Sequence, residues 1–137
     1  MKEAYEIWVN DTYWLIMPFK LHDPGAHLRF DRSEKKPAGA HDVLSLTFDS
    51  NTGLTPKDHY WLFINRNTHL LDHWEFLLQG RKPPPAAATW EEWKQVGPLR
   101  IATLHRMAKG PMMLRMENLD APATLDEALF TDPRPRG

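Results

Sequence analysis

The sequence predicts an α+β fold: a curved antiparallel β-sheet with an N-terminal helix over one face, in a single domain spanning 1–137. Three observations carry that expectation. Two aromatic-rich runs flank a polar break between Asp58 and Leu78, period-two alternation marks Val43–Asp49, and a helical apolar pattern over Glu3–Met17 stops at Pro18.

Taking the elements in order, Ile7, Trp8, Trp14 and Leu15 recur near helical spacing. Pro18 closes the pattern, because proline lacks an N–H and disfavours helical geometry at the residue before it. Lys20–Ala26, with Asp23-Pro24-Gly25, is a turn-rich loop ahead of a short strand at Leu28–Arg32, and polar Ser33–Ala40 is an exposed connection. In Val43–Asp49, Leu44, Leu46 and Phe48 face inward while Ser45, Thr47 and Asp49 face out. A hairpin turn centred on Asn67 sets Phe63 opposite Leu71, Trp61 opposite His73 and His59 opposite Glu75. Arg81–Ala88 holds three consecutive prolines, a stiff connection that cannot join a central strand. Trp90–Val96 reads as a strand, although its first residues fit a helical turn equally well; Leu99–Met107 and Met112–Leu119 are strands joined across Lys109-Gly110-Pro111. Thr124-Leu125-Asp126-Glu127 fits a capping box that opens one helical turn through Leu129, and Asp132–Gly137 is a frayed tail.

Composition narrows the functional classes. A net charge of −1 with interspersed signs gives no electrostatic footprint for nucleic acid or an anionic membrane, so neither is expected as a partner. Cysteine is absent, which removes disulfides and thiolate metal sites. The first residues lack the basic and apolar segments of a signal peptide, and no run approaches the roughly 20 apolar residues of a membrane span. Six Trp, six Phe and three Tyr exceed what a minimal core needs, and a ligand-lining surface or an extra interface would use them.

Several stretches resemble an uncharacterised family with the LolA-like lipoprotein-carrier fold. They are Tyr13-Trp14-Leu15-Ile16-Met17-Pro18-Phe19-Lys20-Leu21, Asp23-Pro24-Gly25, Leu54-Thr55-Pro56 before Tyr60-Trp61-Leu62, and Leu70-Leu71-Asp72-His73-Trp74-Glu75-Phe76. The resemblance runs collinearly from about Tyr5 to Pro133. It implies a half-barrel closed by helices, whose apolar concavity holds a lipid-like ligand in the bacterial envelope. Members of that family are about twice as long. The resemblance therefore implies the C-terminal half of a larger barrel, an incomplete domain whose open edge and apolar face would drive homodimer formation.

Candidate side chains follow from these readings. Trp8, Trp14, Phe19, Trp61, Phe63, Trp74 and Phe76 are the expected lining of a hydrophobic cavity, and each also fits ordinary core packing. On the hairpin register above, His59, His73 and Glu75 share a face, where two imidazoles and a carboxylate could hold zinc with an open position; a solvated hairpin surface explains them as well. His22, Asp23 and His27 form a second cluster, in which the carboxylate could orient an imidazole as a general base, or simply build a turn. No G-x-S-x-G motif supplies a nucleophile. The favoured function is a non-catalytic binder or carrier of a hydrophobic, lipid-like small molecule, with no cofactor. The alternatives are a small hydrolase or metal-dependent enzyme using the His/Asp clusters, and an interaction protein that dimerises through its open sheet.

Overall fold

Helix α1 (Lys2–Ile16) opens the computed structural model, which describes residues 1–37 and 39–131. Glu3 in its first turn complements the positive end of the helix dipole. Its last turn closes through the Met17 N–H on the Tyr13 carbonyl, and Pro18 then turns the chain into a 3-10 segment, Met17–Lys20. The packed face differs from the expected one. Tyr13, Trp14 and Met17 meet the core, whereas Ile7 and Trp8 are exposed, because only the last turns of α1 lie over the sheet.

Five antiparallel strands follow in sequential order: β1 (Ala26–Lys36), β2 (Gly39–Phe48), β3 (His59–Asn65), β4 (Leu71–Leu77) and β5 (Ala86–Thr89). A second antiparallel sheet contains β6 (Glu91–Val96), β7 (Leu99–Arg106) and β8 (Met113–Arg115). An isolated bridge, Ala88 to Met107, and the Ala108 N–H on the Ala87 carbonyl tie the two sheets together at β5. No closed barrel forms among the described residues. A single turn, α2 (Ala128–Thr131), lies near the C-terminus, with the Asp126 carboxylate accepting the Ala128 N–H. The expected tail at Asp132–Gly137 lies outside the described residues.

Leu44, Leu46 and Phe48 face the main core as the alternation predicts, with Tyr60, Leu62, Trp74 and Phe76 beside them. Three local expectations are corrected. Polar Ser33–Ala40 is not a free connection: β1 runs on to Lys36 and β2 starts at Gly39, so cross-strand pairing recruits residues whose composition reads as loop. Ala86–Ala88 pair with β4 as soon as the prolines end, and short Ala side chains let β7 approach from the other side. Of the strand expected over Met112–Leu119, only Met113–Arg115 forms a strand, flanked by main-chain hydrogen bonds from the Met107 N–H to the Met112 carbonyl and from the Met116 N–H to the Thr103 carbonyl.

The hairpin register differs as well. Phe63 pairs with His73, Trp61 with Glu75 and His59 with Leu77. Asn65 caps a wider turn, its Oδ1 accepting the N–H groups of Asn67 and Thr68, while His69 takes a left-handed φ of 59°. A bulge opposite Phe63 and Ile64 absorbs Asp72. Each β4 partner sits two residues further along than a turn centred on Asn67 allows, an even shift that keeps every side chain on its expected face.

Candidate functional site

The five-stranded sheet has two unlike faces. On the face under α1, a cleft of about 960 Å³ opens between the helix, the sheet and the loop that joins β2 to β3. The helix supplies Val9, Tyr13 and Trp14, the strands supply Phe48, Tyr60, Trp74 and Phe76, and the loop supplies Leu54 and Thr55. The rings form a continuous floor. Trp14 stands edge-on to Trp74 at 4.8 Å and to Phe76 at 5.9 Å, and Tyr60 stacks on Trp74 at 5.0 Å. A tight turn shapes the mouth: Gly25 sits at φ +82°, where an added Cβ would collide with the Thr52 side chain.

One end of the cleft is polar and preorganised. Asp58 is 7% exposed and accepts hydrogen bonds from Thr55 Oγ1 (2.6 Å), Tyr60 Oη (3.2 Å) and the Gln79 N–H (2.7 Å). These three donors compensate the burial of a carboxylate. Burial, reinforced by the Asp58 charge, pushes the hydroxyls of Tyr13 and Tyr60 well above the ordinary tyrosine range, so both stay neutral, with the Tyr60 hydrogen already given to Asp58. Across the mouth, Lys20 Nζ donates to Asp23 Oδ2 at 2.6 Å.

Behind Trp14 lies His105 on β7, only 1% exposed, with Nδ1–H donating to the Thr89 carbonyl at 2.9 Å. Burial holds its pKa below the ordinary histidine value, partly offset by the main chains of Thr89 and Trp14 and the charge of Glu91.

The opposite face carries a smaller apolar cluster closed by long cationic side chains. Phe63 is 1% exposed, stacked on His73 at 4.0 Å, with the Arg32 guanidinium 5.7 Å and the Lys36 ammonium 5.5 Å from its ring centre. The bulge aims Asp72 at this cluster, where its Oδ2 meets His41 Nε2 at 2.7 Å and accepts from Asn65 Nδ2 at 2.9 Å. Further along, Ser45 Oγ and His59 Nε2 share a 2.7 Å hydrogen bond, and the His59 ring stacks on Trp61 at 3.8 Å. Burial lowers the pKa of His59, and that of His73 falls through burial and the nearby His41 and Lys36.

The expected site residues therefore divide. Trp14, Trp74 and Phe76 line the cleft together, whereas Trp8 and Phe19 are 61% and 52% exposed and Trp61 and Phe63 belong to the other face. The shifted register sets His59 across from Leu77 and His73 across from Phe63, and no three His, Asp or Glu side chains converge on a metal position among the described residues. Asp23 engages Lys20 and His27 engages Asp49 at 2.7 Å, so Asp23 orients neither His22 nor His27 as a general base. Sequence reasoning missed Val9, Tyr13, Tyr60 and Asp58. The spacing of Val9 and Tyr13, one helical turn apart ahead of Pro18, was the available signal for the first pair of contacts.

No family model, no curated protein and no solved structure matches this chain. Among the described residues no helix is long and apolar enough to cross a membrane.

Proposed function

We propose that this protein is a non-catalytic binder of a hydrophobic, lipid-like small molecule, held in the cleft between α1 and the sheet. The observation that carries the reading is the aromatic floor of Trp14, Tyr60, Trp74 and Phe76 under an open volume of about 960 Å³. Small-molecule sites occupy roughly 300–1,000 Å³; this cleft sets its apolar floor inside a rim of charged and polar side chains that includes Lys2, Glu6, Lys20, Asp23 and Arg81. A curved half-barrel of LolA-like type suits the same assignment: a helix over one face of an antiparallel sheet, and a second sheet bridged to it at Ala88 and Met107. Titration with phenylnaphthylamine, a dye that brightens in apolar sites, tests it. Saturable binding at one site, competed by a dodecyl amphiphile and weakened by Trp14→Ala, is expected; unsaturable or absent binding would contradict it.

Self-association is a second reading, and exposed apolar side chains favour it. Tyr5, Ile7 and Trp8 on α1 are 54%, 54% and 61% exposed, and Phe130 is 76% exposed. Edge-to-edge pairing through β1 is the less favoured route to a dimer, because Arg29, Asp31, Arg32, Glu34, Lys35 and Lys36 charge that edge and a bulge interrupts it. Sedimentation at micromolar concentration distinguishes a 16.0 kDa species from its dimer. An enzymatic reading draws on the Ser45–His59 contact alone, which lies on the open sheet face away from the cleft.

A further inference from the structure

We infer that the amphiphile this cleft takes is a cation, a long-chain ammonium whose head seats at Asp58 among Tyr13, Tyr60 and Phe48; this rests on the cleft reading above. Six charged side chains line the cleft: Lys2, Glu6, Lys20, Asp23, Asp58 and Arg81. Their formal charges cancel, so burial decides which of them a bound head feels. Asp58 alone of the six is buried. A charge held in a low-dielectric interior acts on its surroundings more strongly than one screened by water.

The other charges are already answered at the mouth or lie in solvent. Lys20 meets Asp23 at 2.6 Å, Lys2 meets Glu6 at 4.0 Å, and Arg81 is exposed. Asp58 differs from them all. Its three donors, Thr55 Oγ1, Tyr60 Oη and the Gln79 N–H, are neutral, and no lysine or arginine pairs with it among the described residues. Hydrogen bonds satisfy its lone pairs but leave its net charge, and a buried carboxylate ordinarily has a counter-charge beside it. The negative potential reaches into the cleft: after burial itself, the Asp58 charge is the next cause that raises the Tyr13 and Tyr60 hydroxyls.

The walls beside Asp58 suit the same head. Tyr13 and Tyr60 stand 5.4 Å apart, Phe48 is edge-on to Tyr60 at 6.1 Å, and Trp74 lies 5.0 Å from Tyr60, all four lining the cleft. Aromatic faces attract a cation and offer nothing comparable to an anion. Asp58 Oδ2 takes both Thr55 and Tyr60 whereas Oδ1 takes only the Gln79 N–H, so Oδ1 keeps a lone pair for an ammonium N–H. Tyr13 Oη, which has no hydrogen-bond partner among the described residues, is a further acceptor. A carboxylate head is repelled by Asp58 and finds only the exposed Arg81; a hydroxyl head leaves the buried charge unanswered. An alkylamine, like a lysine side chain, carries its charge at neutral pH. Its tail then runs over Trp14 and Phe76.

The test holds the tail constant and varies the head. Dodecylammonium, dodecanol and dodecanoate, each below the concentration at which it forms micelles, compete with phenylnaphthylamine on the full chain at neutral pH. Dodecylammonium is expected to bind about tenfold or more tightly than the other two. Asp58→Asn, which keeps the shape and removes the charge, is expected to bring dodecylammonium down to the affinity of dodecanol. In the unaltered protein, NMR cross-peaks are expected between the methylene next to the ammonium and the ring protons of Tyr13 and Tyr60, a readout that stands even if Asp58→Asn does not fold. Equal affinity for the three heads would overturn the head assignment and leave the cleft reading in place. Tighter binding of dodecanoate would overturn it in favour of a head at Arg81, and so would cross-peaks from that methylene to neither tyrosine. Failure of every dodecyl compound to bind would overturn the cleft reading itself, and the head assignment with it.

Discussion

The two faces of the five-stranded sheet bury aromatics by opposite means. Under α1, Tyr60, Trp74 and Phe76 are met by the rings Tyr13 and Trp14, large rigid bodies that stand apart on a helix and leave a cleft between them. On the other face, Phe63 is met by the flexible side chains of Arg32 and Lys36, whose charged heads lie 5.7 Å and 5.5 Å from its ring centre and pair with Asp31 and Glu34. Rigid cover against a flat floor makes a cavity; flexible cover makes a seal. For the lipid-like ligand we propose, that difference, more than the number of aromatic residues, favours the α1 side.

Removing the central ring on the α1 side should have the largest effect. Trp74 is 2% exposed and contacts Tyr13, Trp14, Tyr60, Phe76 and Trp90, so Trp74→Ala is expected to cost about 3–5 kcal/mol in urea denaturation. On the sealed face Phe63→Ala should cost less, about 3 kcal/mol, because the flexible Arg32 and Lys36 side chains above the ring can settle into the space. Equal losses would contradict the contrast between rigid and flexible cover. Asp58→Ala, which strands the hydrogen-bond donors of Thr55, Tyr60 and Gln79 at the polar end of the cleft, should cost about 1–3 kcal/mol by the same measurement. Trp14→Ala separates folding from binding: a half-buried wall of the cleft should lose only about 1–2 kcal/mol of stability while probe affinity falls further.

The smallest effect is expected from pH. His105 behind α1 and His73 on the other face both have pKa values held below the ordinary one, chiefly by burial. As pH falls below about 6.5 the unfolded chain takes up protons that these folded imidazoles resist, so stability declines with acid and is fully present above that range. Urea midpoints measured between about pH 7 and about pH 5 should fall, and His105→Leu should flatten the decline. An unchanged slope in that variant would show that His105 does not couple folding to pH.

Much of the architecture was legible in the sequence, for identifiable reasons. The Pro18 stop, the Leu44, Leu46 and Phe48 alternation and the aromatic runs around Asn67 are local patterns, and each corresponds to an element of the structure. Faces survived where register did not, because the bulge at Asp72 and the Asn65-capped turn displaced the pairing by an even number. The site was half legible. Trp14, Trp74 and Phe76 were recognisable as large apolar residues, but which aromatics share a face with α1 depends on where the helix crosses the sheet, and that kept Trp8 out of the cleft and put Phe63 on the far side. Asp58, Tyr13 and His105 gained their roles from contacts between distant segments, which no local pattern encodes.

A crystal structure of the protein with dodecylammonium brominated at its tail tests the central claim most directly, since anomalous scattering locates the halogen independently of the surrounding density. The account predicts bromine in the cleft on the α1 side of the sheet, near Trp14 and Phe76, with the chain running toward Asp58. Bromine on the Phe63 face, or a cleft that stays empty at saturating ligand, would contradict it.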